Sequence, residues 1–88
     1  MKALIKYLHW SEPRAITSFY SDNISDFLKS IKIMKDNEIR CRFNDFSEEI
    51  EQEWKGWSFL IEDVRVFLPS NTDLFVIEIS ISDAVKED

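Results

Sequence analysis

Two different hydrophobic periods within one short chain constrain the fold most strongly. Between Asp22 and Lys35, apolar residues recur at the spacing of one helical face, at Ile24, Phe27, Leu28, Ile31 and Met34. Between Leu74 and Ser82 they alternate with polar residues, as in a half-buried strand, at Phe75, Ile77, Ile79 and Ile81. A chain of 88 residues that contains both periods is predicted to be a single α+β domain spanning residues 1–88.

Shorter segments complete a predicted element order of β-β-α-β-α-β-β, with a mainly antiparallel sheet of about five strands and two helices. Ser21 or Asp22 is expected to cap the first helix. The second helix is predicted over residues 45–55, with an extended segment as the alternative, and Gly56 is expected in a left-handed conformation after it. The remaining strands are predicted over residues 2–10, 14–20, 38–44 and 58–68.

Two irregularities are predicted near the C-terminus. The phase of the apolar residues slips at Glu62-Asp63, which predicts a β-bulge or a tight turn within the strand over 58–68. Residues 83–88 lack a continuing apolar pattern and are predicted to form a frayed tail.

The composition offers little for catalysis or metal binding. The chain has one His, one Cys and one Gly, which is too few for a zinc site or a glycine-rich phosphate loop. Cys41 alternates with Ile39 and Phe43 and is expected to be a buried thiol, and no spacing brings it to His9. We therefore expect no catalytic residue, no cofactor and no metal site.

The start of the chain and its single cysteine bear on location. The apolar run that begins at Met1 stops at Lys6, which is shorter than the apolar region of a signal peptide. No stretch approaches the roughly 18 apolar residues of a membrane span. With one Cys the chain cannot form an internal disulfide, so we expect a cytoplasmic protein without membrane contact.

Acidic residues are concentrated in the second half of the chain. The formal net charge is −6, with +3 in residues 1–44 and −9 in residues 45–88. Residues 45–63 alone have a net charge of −6, and they also contain Trp54 and Trp57. A general nucleic-acid binder would be basic, so direct nucleic-acid binding is not expected. Clustered carboxylates would instead attract a basic protein partner.

The acidic segment has two interpretations. In one it is a solvated face whose tryptophans belong to the core. In the other it is a binding face, because tryptophan is among the most frequent interface anchors. Under the second interpretation, the residues expected to bind the partner are Glu48, Glu49, Glu51, Glu53, Trp54, Trp57, Glu62 and Asp63.

A second candidate surface is the basic outer face of the strand predicted over 38–44. Arg40 and Arg42 alternate there with apolar residues, and Lys6 could extend the patch. Alternatively, the two arginines pair with the acidic helix of the same chain, which would neutralise both surfaces.

In size, acidity, α+β composition and lack of catalytic residues, the chain resembles small acidic immunity proteins that block bacterial nuclease toxins, and phage inhibitors that mimic nucleic acid. The resemblance implies a protein-binding inhibitor, most directly an immunity protein that covers a basic toxin domain. The alternative is a phage or mobile-element protein that inhibits a host nucleic-acid enzyme by DNA mimicry. A small enzyme is the third possibility.

Overall fold

The computed structural model of the chain describes residues 2–46, 50 and 52–87. Over these residues it contains five strands, one α-helix and two short 3-10 turns. The strands are β1 (Ala3–Leu8), β2 (Thr17–Ser21), β3 (Cys41–Arg42), β4 (Trp57–Phe67) and β5 (Phe75–Lys86); α1 is Ile24–Asp36, and the 3-10 turns are Phe43–Asp45 and Gln52–Trp54.

The five strands form one mixed sheet in the order β2-β1-β5-β4-β3. Strands β1 and β5 are parallel, while the other neighbouring pairs are antiparallel. The predicted α+β class and five strands agree with this sheet, but the sheet is not wholly antiparallel. A parallel pair of strands needs a crossover connection, and α1 forms part of the connection between β1 and β5. Strand β5 then lies between β1 and β4.

The predicted first helix is present as α1. Its N-cap is Asn23, rather than the expected Ser21 or Asp22: the Asn23 side-chain oxygen accepts a hydrogen bond from the Asp26 amide at 3.2 Å. Asn23 Nδ2 donates in return to Asp26 Oδ2 at 2.8 Å, so two hydrogen bonds join the N-cap residue to the first turn of the helix. The predicted apolar stripe faces the core, with Ile31 buried and the others half-buried against it.

The predicted second helix is wrong in the part of 45–55 that the structure describes. A 3-10 turn lies at either end, at Phe43–Asp45 and Gln52–Trp54, and Phe46 and Ile50 lie outside both turns. Aromatic packing accounts for the first turn: the rings of Phe43 and Phe46 are 5.5 Å apart. A 3-10 turn places residues three apart on the same side, which suits two aromatic residues that share one core.

The predictions for the last two strands are confirmed in part. The register between β4 and β5 shifts between Ile61 and Asp63, as the bulge at Glu62-Asp63 predicted. The tail predicted over 83–88 is wrong through Lys86, because β5 continues to that residue and Val85 pairs with Ser58. A second register shift, between Ser58 and Leu60, lets the ladder continue beyond Asp83, whose φ is 50°.

The core lies on the face of the sheet that α1 covers. Alternate residues of β5 point into it, as predicted, and alternate residues of β1 do so too. Phe43 and Phe59 are fully buried there, with their rings 4.5 Å apart. The buried isoleucine and aromatic side chains of the core are Ile5, Tyr7, Ile16, Ile31, Phe43, Ile50, Trp54, Phe59, Ile61, Ile77, Ile79 and Ile81.

Gly56 has the left-handed conformation that the sequence predicts, with φ 83°. A Cβ at this position would lie 3.3 Å from the carbonyl oxygen of Glu87, whose amide donates to the Gly56 carbonyl at 2.7 Å. We expect Gly56→Ala to reduce the free energy of unfolding by about 1–2 kcal/mol, because alanine is strained there. In thermal unfolding this is a loss of roughly 4–16 °C.

Gly56→Asn is the matched control, because asparagine tolerates positive φ better than alanine does. The asparagine variant should therefore lose less stability than the alanine variant. Equal stability of Gly56→Ala and the wild type would contradict the strain assigned to this position.

Candidate functional site

The structure separates the residues that the sequence analysis assigned to one binding face. Glu53 is exposed in the second 3-10 turn, and Trp57 is half-buried at the start of β4. Glu62 and Asp63 lie further along β4, at the bulge. Glu48, Glu49 and Glu51 lie outside the described residues.

Of the two tryptophans in the acidic segment, Trp54 belongs to the core. Its side chain is 7% exposed, and its ring lies 5.7 Å from that of Phe43. A side chain that is already buried gains little further area from a partner, so Trp54 supports the neighbouring surface from below. Trp57, whose ring is 5.4 Å from that of Trp54, keeps part of its surface exposed.

Asp63 and Trp57 line different hollows of the molecule. Asp63 lines a separate hollow beside the C-terminal half of α1, together with Lys32 and Lys35. Along a strand, the six-residue step from Trp57 to Asp63 spans roughly 15–20 Å. Asp63 thus lies beside α1 and not in the hollow that Trp57 lines.

A tight turn after β1 provides an anchor that the sequence analysis missed. Trp10 lies in this turn and is 89% exposed, the highest value among the large apolar side chains described. The Glu12 amide donates to the His9 carbonyl at 3.0 Å, which closes the turn. A signal was present in the sequence, because Trp10 directly precedes the turn-forming run Ser11-Glu12-Pro13.

The side chains of the turn hold it further. The Ser11 amide donates to His9 Nδ1 at 3.3 Å, which makes this ring nitrogen an acceptor. Ser11 Oγ lies within hydrogen-bond distance of the same nitrogen, at 2.6 Å. The turn thus presents Trp10 from a backbone that is fixed by three hydrogen bonds.

Aromatic rings join this turn to the start of β4. The His9 ring lies 5.2 Å from that of Trp10 and 5.4 Å from that of Trp54, and Trp54 in turn contacts Trp57. We call the residues His9, Trp10, Trp54 and Trp57 the aromatic surface. It lies at the end of the sheet where β1 finishes and β4 begins.

A hollow of about 310 Å³ opens within the aromatic surface. Its described lining combines aromatic rings with two carboxylates and contains neither lysine nor arginine. The lining residues are His9, Ser11, Glu12, Glu53, Trp54, Trp57 and Ala84.

Both arginines of the second candidate surface form ion pairs with carboxylates near the end of the chain, and no ion pair of either arginine with the described residues of the acidic segment is found. Arg40 pairs with Asp83 of β5, and Arg42 Nε pairs with Glu87 Oε1 at 2.9 Å. Lys6 lies apart from both, on β1, opposite Glu78 of β5. This alternative surface therefore presents less free positive charge than the sequence suggested.

Cys41 and His9 have different surroundings. Cys41 is buried on β3, with its Sγ 3.9 Å from Met34 Sδ. Burial, and to a smaller extent the nearby Asp45 carboxylate, raise the pKa of the Cys41 thiol above its ordinary value. The protonated thiol is the less reactive form, so this environment suits a packing role.

Neither a metal cluster nor a membrane helix is found within the described ranges. No three His, Cys, Asp or Glu side chains among residues 2–46, 50 and 52–87 are grouped as a metal ion would require. No helix in that part of the chain is long and apolar enough to cross a membrane. Comparison of the chain with protein-family models, with curated proteins and with solved structures gives no match.

Proposed function

We propose that the protein is a protein-binding inhibitor, and specifically an immunity protein that neutralises a basic, nuclease-like toxin domain in the bacterial cytoplasm. The observation that supports this proposal most directly is Trp10, which is almost fully exposed on a hydrogen-bonded turn. An exposed tryptophan of this kind has apolar area to bury against a partner.

The geometry of the turn favours tight binding. Binding costs free energy when flexible groups become ordered, and a rigid anchor reduces that cost. Trp10 is presented by a closed turn and lies beside the His9 ring, which in turn rests on the buried Trp54. These features are those of a preformed anchor with a supporting shell.

The charge of the chain complements the proposed partner. The net charge is −6, and Glu12 and Glu53 flank the aromatic surface. Carboxylates around an apolar anchor accelerate the approach of a basic protein and disfavour acidic partners. By sequence position, Glu48, Glu49 and Glu51 would add to this field.

DNA mimicry receives less support from the described carboxylates. A mimic requires acids that stay uncompensated along a continuous face, as phosphates do. Here Asp83 and Glu87 are paired with arginines of the same chain, and Asp36 lies 3.4 Å from Lys32. We also propose no catalytic role for Cys41 or His9.

The experiment is an inhibition assay with the toxin domain encoded beside this protein's gene. We expect the wild-type protein to abolish nuclease activity at an equimolar ratio. Trp10→Ala should weaken binding by about 2 kcal/mol, or roughly 30-fold, mainly through faster dissociation. Glu12→Gln with Glu53→Gln should instead slow association and reduce its salt dependence.

Tyr20→Ala is the control variant, because Tyr20 is a 59% exposed aromatic residue on β2, far from the aromatic surface along the sheet. It should inhibit as the wild type does. A neighbouring gene that encodes no toxin, or a toxin that the wild-type protein leaves active, would overturn the proposed function. Equal inhibition by Trp10→Ala and the wild type would overturn the assignment of Trp10.

A further inference from the structure

The two strands at the ends of the sheet differ in how well they are protected against pairing with a further strand. At one end, β3 has two residues, contains Arg42 and runs into a 3-10 turn. Short length and charge are both features that prevent an edge strand from pairing with another strand. At the other end, β2 (Thr17–Ser21) has five residues, with neither a charge nor a proline among them. The β2 edge therefore lacks the usual protection.

The outer edge of β2 is also regular. Its pairing with β1 runs from Ser21 to Thr17 without a register shift, so no bulge turns this edge away. The Ile16 amide donates to the Tyr7 carbonyl oxygen at 2.8 Å, which holds the residue before the strand beside β1 as well. Among residues 2–46, 50 and 52–87, no strand pairs with the other side of β2. Backbone N–H and C=O groups of alternate residues therefore face outward, where an added strand could bind them.

Opposite charges lie just beyond the two ends of this edge. Arg14 precedes Thr17 in the loop after β1, and Asp22 directly follows Ser21. Both charged side chains are exposed, and neither forms an ion pair with a described residue. Antiparallel pairing places the start of one strand beside the end of the other. A strand with a cation before it and an anion after it thus complements an antiparallel copy of itself.

We propose that the β2 edge is a dimerisation surface, which pairs antiparallel with β2 of a second copy of this chain about a two-fold axis. The proposal is independent of the proposed function. In a pairing centred on Ser18, Arg14 of each copy lies opposite Asp22 of the other, so one residue pair gives two ion pairs. A pairing centred on Phe19 shifts these charges by two residues, or about 7 Å, which the long arginine side chain can span.

The dimer is expected to be weak. Specific interfaces bury about 1,200–2,000 Å² in all, and the pairing of two five-residue strands buries less than that. Each copy also has a net charge of −6, which opposes association, although β2 itself is uncharged. We expect a monomer–dimer equilibrium with a dissociation constant of about 100 µM.

Sedimentation equilibrium of the purified protein, from roughly 10 µM to 1 mM, tests the proposal. Arg14→Asp should weaken dimerisation at least about tenfold, because two attractive pairs become repulsive. Asp22→Arg should weaken it as well, even though this change brings the net charge from −6 to −4 and reduces the general repulsion. The combined variant, with both charges exchanged, should dimerise as the wild type does.

Lys29→Asp is the matched control. Lys29 is exposed on α1, and its replacement changes the net charge by the same amount as Arg14→Asp. It should dimerise as the wild type does, because Lys29 lies outside the paired edge. Circular dichroism of each variant verifies that the fold is retained.

Isotope-filtered NMR on a mixture of labelled and unlabelled protein locates the contact. We expect signals between α-protons of β2 in one copy and α-protons of β2 in the other. A protein that stays monomeric up to the highest concentration would overturn the proposal and leave this edge to a strand of a different protein. Dimerisation through another surface, unchanged association in both single variants, or a combined variant no better than Arg14→Asp would equally overturn it.

Discussion

Replacing Phe59 with alanine should reduce the free energy of unfolding by about 3–5 kcal/mol. Phe59 is fully buried on β4, and its ring lies 4.5 Å from that of Phe43 and 5.8 Å from that of Tyr7. Truncation would remove the apolar contact area and leave a cavity between three strands and the 3-10 turn. The surrounding aromatic rings are attached to different elements and cannot all move to fill that cavity.

The expected loss is a large fraction of the total stability. A domain of this length has about 4–13 kcal/mol in all, so the variant should be partly unfolded in mild denaturant. Urea unfolding, followed by tryptophan fluorescence and by circular dichroism, measures the change. A loss below about 1 kcal/mol would show that Phe59 does not occupy the centre of the core.

Phe67→Ala is the matched control for this measurement. Phe67 lies on the same strand but is 38% exposed, beside the guanidinium of Arg65. Its truncation should cost about 1 kcal/mol or less, because little buried area is lost and no enclosed cavity forms. The contrast between two phenylalanines of β4 isolates the contribution of burial.

Local periodicity was sufficient to predict the elements whose own residues carry a clear apolar period. The helical stripe ending at Met34 and the alternation from Phe75 to Ile81 both correspond to observed elements. The bulge at Glu62-Asp63 was visible because a slip in the apolar phase must be absorbed somewhere in the ladder.

The pairing of strands that are distant in sequence could not be predicted from local periodicity. The parallel contact between β1 and β5 joins residues such as Ile5 and Ile77, and no local pattern specifies that partner. At the end of β5, Asp83 likewise forms an ion pair with Arg40, which is distant in sequence. Between Phe43 and Trp54, the described residues form 3-10 turns and aromatic contacts in place of the helix that the spacing of the apolar residues predicted.

The candidate site shows the same division. Composition identified an acidic, tryptophan-containing segment, and Trp57 and Glu53 from it lie at the aromatic surface. Composition could not distinguish the buried Trp54 from the exposed Trp10, because the burial of a tryptophan depends on what the fold places around it. The hollow could not be predicted from the sequence either, because its lining comes from three separate parts of the chain.

The second large effect is expected at Arg40, which joins the end of β5 to β4. Its Nη1 donates to Ser58 Oγ at 3.1 Å and to the Asp83 carbonyl oxygen at 2.9 Å, and its Nη2 binds the Asp83 carboxylate. Ser58 is fully buried, and Asp83 has a left-handed backbone conformation. One guanidinium thus supports both sides of the register shift.

We expect Arg40→Ala to cost about 2–3 kcal/mol of unfolding free energy, because it leaves the buried Ser58 hydroxyl and the Asp83 carbonyl without this donor. Arg40→Lys should recover only part, since an ammonium cannot reproduce the planar fork. Arg42→Ala is the control: the Arg42 and Glu87 side chains are 54% and 39% exposed, and removing such a pair should cost less than about 1 kcal/mol.

Hydrogen exchange distinguishes a local effect of Arg40 on the end of β5 from a loss of stability of the whole domain. In Arg40→Ala the amides of Ala84 to Lys86 should exchange faster than expected from the change in global stability, because the ladder beyond Asp83 depends on this side chain. Arg42→Ala should leave their relative protection unchanged. If the two alanine variants lose equally little stability and protect these amides equally, the extension of β5 is held by its strand pairing alone.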